Sequence, residues 1–169
     1  ASALVTLQST EEKLQETEED TPLLAELASA IGDHRELRRE IERCIDASGE
    51  VRDSASDSLR EARAKALRLA SELRNRLDGM LRNENVRAAL SDEFVTVRND
   101  RYVLPVKSDM RGRVRGIIHD ASNTGTTVFI EPEGVVGLNN ELKQAELDAA
   151  REIERILRSL SQQLAGVLS

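Results

Sequence analysis

The sequence predicts a mainly α chain interrupted by a small antiparallel β insertion: N-terminal helices, two long antiparallel helices with coiled-coil-like spacing, and β-hairpins at their far tip. Three observations carry this. Two long stripes of apolar residues recur at alternating three- and four-residue steps. Charged residues make up 33% of the chain and aromatics 2%, a composition of long helices with a thin apolar seam. Between the stripes, "VRNDRYVLPVKSDMRGRVRGIIHDASNTGTTVFIEPEGVV" (97–136) abandons helical spacing for alternation.

Residues 1–49 read as short helices. In "TPLLAELASAIG", Thr21 is an N-cap, Pro22 takes the first helical position and Gly32 is the stop. "HRELRREIERCIDASG" is a second helix, closed by Gly49. Residues 50–92 form the first long helix, expected to run unbroken from Glu50 to about Leu90. Its seam is Ala55, Leu59, Ala62, Ala66, Leu69, Leu73, Leu77 and Met80. Its arginines alternate with Glu and Asp, the pattern of a solvated, ion-paired face.

Residues 93–132 are the β-rich insertion. "FVTVR" and "RYVLPVK" flank Asn99-Asp100, a two-residue hairpin signal. Pro105 cannot donate to a ladder, so its strand is expected at an edge or a bulge. "RVRGIIHD" and "TTVFIEP" make a second pair across a turn shaped by Asp120, Ser122 and Gly125. Residues 133–169 form the returning helix, with a seam of Leu138, Leu142, Ala145, Ala149, Ile153, Ile156, Leu160, Leu164 and Val167. Asn139 and Asn140 lie beside that seam. Either one fixes its register as a buried polar group, or both are surface residues.

Charge changes where the pattern changes. The chain carries a formal charge of −7. From Phe94 to Ile130 there are six basic and three acidic residues, leaving 18 basic and 28 acidic elsewhere. Arg98 and Arg101 bracket the first turn, Lys107 follows, and Arg111, Arg113 and Arg115 alternate at period two, so that they share one face if the strand extends this far. Guanidinium groups pair with phosphate oxygens, so a cationic patch on an acidic chain suits phosphate contacts. The same charges also serve as a solvated edge that discourages strand addition. The residues alone leave both readings open.

Other chemistry is excluded. "SNTGTT" (122–127) lacks the upstream Gly and the Lys of a phosphate-binding loop. His119, Asp120 and Ser122 are triad residue types, but they crowd one strand-to-loop segment and do not converge. Two histidines (His34, His119) and one cysteine are too few for a zinc site. No catalytic residue and no metal are therefore expected. Cys44, the sole cysteine, permits no intrachain disulfide; it points to a buried thiol in a reducing, cytoplasmic setting. No apolar run approaches the ~20 residues of a membrane span. A start at Ala1 and an end inside an amphipathic pattern lead us to expect a piece of a larger protein.

"CIDASGEVRDSASDSLREAR" (44–63), followed by "VRNDRYVLPVKSDMRGRVRGIIHDASNTGTTVFIEPEGVVGLNNEL" (97–142), resembles the MutS-two family of bacterial MutS paralogues. The resemblance covers most of residues 33–169; residues 1–32 fit only loosely. One departure is Asp100, where the family usually has Gly. The resemblance implies a core-domain portion (1–49), an ascending lever helix (50–92), a clamp-like tip (93–132) and a returning lever helix (133–169). It implies a full-length protein that binds ATP and magnesium, dimerises and often carries a Smr nuclease domain. None of that chemistry is expected within this segment, which needs no cofactor. The implied partners are branched or mismatched DNA, or ribosomal RNA, in recombination suppression or ribosome rescue. Sequence-independent backbone contact would fall to Arg98, Arg101, Lys107, Arg111, Arg113 and Arg115, and the turn to Asn99, Asp120, Ser122 and Gly125. The competing expectation is a structural arm that meets protein and no nucleic acid.

Overall fold

A computed structural model describes Thr6, Ser9 and residues 35–167. The helix expected over 21–32, with Thr21, Pro22 and Gly32, lies outside the described residues, as does His34. The chain forms two compact units, one of residues 1–60 and 151–169, the other of residues 61–150. The architecture is mainly α with a small antiparallel sheet inserted, as the periodicities predict.

In the first unit, α1 (Arg35–Cys44) is followed by a closed loop. Ile45 and Val51 form an isolated bridge. Between them, Asp46 accepts from the Ser48 and Glu50 amides at 2.8 and 3.0 Å, and Gly49 takes φ +91°. Arg43 crosses to the Ser54 carbonyl at 2.9 Å while paired with Glu40 at 2.7 Å. A 3₁₀ turn (Asp53–Ala55) leads to Ser56, whose hydroxyl accepts from the Leu59 amide at 3.1 Å and so caps α2 (Asp57–Leu81). The same hydroxyl donates to Glu152 at 2.7 Å, on α4 (Val136–Val167). Cys44 is buried, and that burial pushes its thiol pKa up.

The continuous helix expected from Glu50 to about Leu90 is divided. The loop closed by the Ile45–Val51 bridge and the 3₁₀ turn over Asp53–Ala55 fill the stretch before Ser56 starts α2. At the other end, Asn83 sits in extended backbone and its side chain accepts from the Asn85 and Val86 amides. That cap opens a separate short helix, α3 (Glu84–Ala89). The capping preference of Ser and Asn overrides the apolar spacing at both ends.

In the second unit, four strands form one antiparallel sheet in the order β1 (Thr96–Arg98), β2 (Arg101–Lys107), β4 (Thr127–Pro132), β3 (Gly116–Ala121). β2 is thus an inner strand, which differs from the edge expected for Pro105. The strand tolerates Pro105 because β1 ends early: its ladder runs only from Arg98–Arg101 to Thr96–Val103. Beyond it, the Pro105 carbonyl accepts from Ser91 at 3.0 Å, and no donor is needed from Pro105 itself. One apolar cluster joins Leu69, Leu73 and Leu77 of α2, Leu104 and Val106 of β2, Val128 and Ile130 of β4, and Leu142 and Ala145 of α4. The predicted seams are therefore buried here, against a sheet as well as against helix.

Candidate nucleic-acid interface

The first hairpin turn has φ +50° at Asn99 and +60° at Asp100, with Arg98 paired to Arg101. Two left-handed residues in a two-residue loop match the twist of the flanking strands. Asn99 tolerates this conformation, and its side-chain Nδ2 donates to the His119 carbonyl at 2.9 Å. Asp100 pairs with Lys143 of α4 at 2.8 Å. That contact lowers the Asp100 carboxyl pKa and raises that of Lys143.

The two turn arginines are used inside the molecule. Arg98 stacks over the Phe129 ring at 4.2 Å and lies 3.5 Å from Asp120. Arg101 donates to Asn140 at 2.6 Å and to Glu131 at 3.3 Å. Glu131 is 1% exposed and also meets His119 Nε2 at 2.6 Å. His119 reaches it from a β-bulge: Ile118 pairs with Ile130 and Asp120 with Phe129, leaving His119 as the extra residue. Sequence reasoning missed Glu131 altogether. The only signal for it was an acid at a strand position whose neighbours are apolar.

Lys107 donates to the Ala88 carbonyl at 3.3 Å, in the last turn of α3. The period-two strand expected for Arg111, Arg113 and Arg115 is not formed. Ser108–Arg113 is a 3₁₀ segment, and β3 begins only at Gly116. Met110 packs against the core and Val114 is buried, which turns Arg111, Arg113 and Arg115 outward by a different geometry. All three are exposed, and none has a side-chain hydrogen bond or ion pair among the described residues.

The β3–β4 turn is closed by Ser122 and Gly125. The Ser122 and Thr127 backbones bond at 2.9 Å, the Ser122 hydroxyl accepts from the Thr127 amide at 3.1 Å, and Gly125 takes φ +72°. Asp120 accepts from the Ala121 amide at 2.8 Å. Gly116 is the tightest of the described glycines. A Cβ there would strike the Glu131 carbonyl group, with Ile130 Cγ2 only 2.9 Å away.

Among curated proteins, the chain is 46% identical over 155 residues to the endonuclease MutS2 of Halalkalibacterium halodurans, covering 92% of this chain and 20% of that protein. It is 46% identical over 146 residues to the putative endonuclease MutS2 of Bacillus subtilis, and 47% identical over 146 residues to the endonuclease MutS2 of Shouchella clausii. Each of these alignments covers 86% of this chain and 19% of the relative. The chain belongs to the MutS2 family. No family model matches it.

This MutS2 chain spans about a fifth of the length of the curated relatives it matches. Among the described residues, the Ser122–Thr127 loop does not fit the nucleoside triphosphate and magnesium that the family resemblance implies for the full-length protein. This loop joins two strands, carries no lysine and spends the Ser122 hydroxyl and backbone on the hairpin itself. No helix of the described MutS2 residues is long and apolar enough to cross a membrane.

Proposed function

We propose that this chain is a non-catalytic part of a MutS2 protein that grips nucleic-acid backbone without reading sequence. The observation that carries this reading is the run of Arg111, Arg113 and Arg115, exposed and without ionic partners among the described residues. Arg98, Arg101 and Lys107 are committed to internal partners. The contact set is therefore narrower than the six basic residues of the insertion. Duplexes of either sugar present phosphates at regular spacing, so branched DNA and structured RNA both suit it. Endonuclease chemistry and ATP hydrolysis with magnesium are assigned, in this reading, to the other four-fifths of its length.

The test is a fluorescence-anisotropy titration against forked DNA and structured RNA across a salt series. Three phosphate contacts on duplex give a log–log slope near about −2.7. Charge reversal of Arg111, Arg113 and Arg115 to Glu should abolish binding while leaving thermal unfolding unchanged. A folded parent chain that binds neither probe at low salt would refute the proposal.

A further inference from the structure

We propose that the free edge of β3 pairs antiparallel with β3 of a second copy of this chain, centred on Ile117. β3 is an outer strand. Its Ile117 and Ile118 are 49% and 50% exposed, and they point to opposite faces of the sheet. Two bare β-branched residues on an edge that is unpaired among the described residues invite strand addition.

The ladder tells which backbone groups are available. The Glu133 amide donates to the Arg115 carbonyl at 3.0 Å. Arg115 and, two residues on, Ile117 therefore turn their backbone groups to the β4 side, and Gly116 and Ile118 turn theirs outward. When two edges join about a twofold axis, opposed residues share a sheet face, so the axis must pass through one residue position. With Ile117 on the axis, Ile117 meets its own copy and Gly116 meets Ile118. The glycine leaves room for the isoleucine.

The bulge completes the match. It absorbs His119, so the next paired position belongs to Asp120. Asp120 then falls opposite Arg115 of the other copy, twice over. Without the bulge, Arg115 would face His119. Asp120 is 48% exposed beside Arg98, which leaves its carboxylate open to a second cation. This pattern selects the occupant. An acidic strand added to this edge would satisfy Arg115 but meet repulsion at Asp120, whereas a second copy satisfies both, as an isologous contact requires. Edge charges and bulges commonly blunt pairing; here the bulge is what brings the complementary charges into register.

The contact covers only a few residues, well below the about 1,200 Å² of a stable standard interface. It is therefore weak and best read by cross-linking. The experiment uses the full chain, freed of nucleic acid by nuclease treatment, carrying Ile117→Cys, Ile118→Cys or Leu67→Cys, with the parent chain as control for the buried Cys44. Non-hydrogen-bonded partners lie about 4.5 Å apart at Cα, inside disulfide range, so Ile117→Cys should cross-link at least about tenfold faster than the other two. Adding Arg115→Asp should slow that cross-link, and Arg115→Asp with Asp120→Arg should restore it. Circular dichroism confirms that each variant is folded. Equal rates at the three cysteine positions, or no rescue by the double reversal in folded protein, would overturn the proposal.

Discussion

The carboxamide of Asn139 on α4 grips both backbone groups of Tyr102 on β2, accepting from its amide at 3.0 Å and donating to its carbonyl at 3.2 Å. Asn139 is 1% exposed. On either side of this grip, Arg101 bonds Asn140 at 2.6 Å and Asp100 bonds Lys143 at 2.8 Å. Three consecutive hairpin residues are thus stitched to one stretch of α4. A displacement of this part of α4 carries the β1–β2 hairpin with it.

Asn139→Leu leaves the Tyr102 amide and carbonyl without these partners. The expected loss is about 2–4 kcal/mol, from two polar groups at about 1–3 each with partial relaxation. Urea unfolding measures it. Asn140→Ala, at an exposed position, should cost well under half as much. Equal costs for the two would show that the Tyr102 bonds contribute little.

Glu131→Ala removes the shared acceptor of Arg101 and His119. A buried pair broken on one side loses about 3–5 kcal/mol. Arg101 is a quarter exposed, so the lower end is expected. Glu131→Gln keeps one acceptor and should lose less. Denaturant midpoints of the two variants check the order.

Gly116→Ala forces a methyl into the Glu131 carbonyl of β4. Backbone cannot swing aside as a side-chain tip can, so the expected cost is at the upper end of the about 1–3 kcal/mol seen for overpacking. Gly112→Ala, where a Cβ meets nothing within 4 Å, should be near neutral. Thermal unfolding of the pair distinguishes local strain from a general effect of losing glycine.

Asp100→Gly relieves a left-handed side-chain residue and gives up an exposed ion pair. The net expectation is a slight stabilisation. In that background Lys143→Ala should have no effect, whereas in the parent it destabilises slightly. A double-mutant cycle on unfolding free energies reads both.

Arg155 and the Ser56 hydroxyl hold the Glu152 carboxyl down at about 2, against an ordinary 4.5. Arg43 lowers Glu40, and Ser48 with the Glu50 amide lowers Asp46. A depressed folded value stabilises fully above the unfolded value, and that stability is lost as pH falls through the folded one. For Glu152 the window runs from about 4.5 down to about 2. Ser56→Ala should raise the Glu152 titration point in a carboxyl NMR titration and move the acid loss of thermal stability to higher pH. An unmoved titration point would show that the hydroxyl bond is not made in solution.

Much of this molecule is legible in its residues. The helical stripes name the buried leucines because a 3.6-residue period leaves a helix only one face to bury. Asn99-Asp100 names its turn because few residues accept left-handed backbone. The helix ends were harder. Local caps at Ser56 and Asn83 compete with apolar spacing that runs straight through them, and only the folded chain settles which prevails.

The sequence by itself determined the fold class, the place of the β insertion, the family and the concentration of cations in one segment, since each depends on local spacing or local composition. Only the tertiary structure decided which cations are free. Arg98, Arg101, Lys107, Arg111, Arg113 and Arg115 look alike along the chain. The partners of Arg98, Arg101 and Lys107 — Phe129, Glu131, Asn140 and the Ala88 carbonyl — lie up to 39 residues away in sequence. Burial of Glu131 and the bulge at His119 arise from pairing between strands, and no window along the chain contains that information.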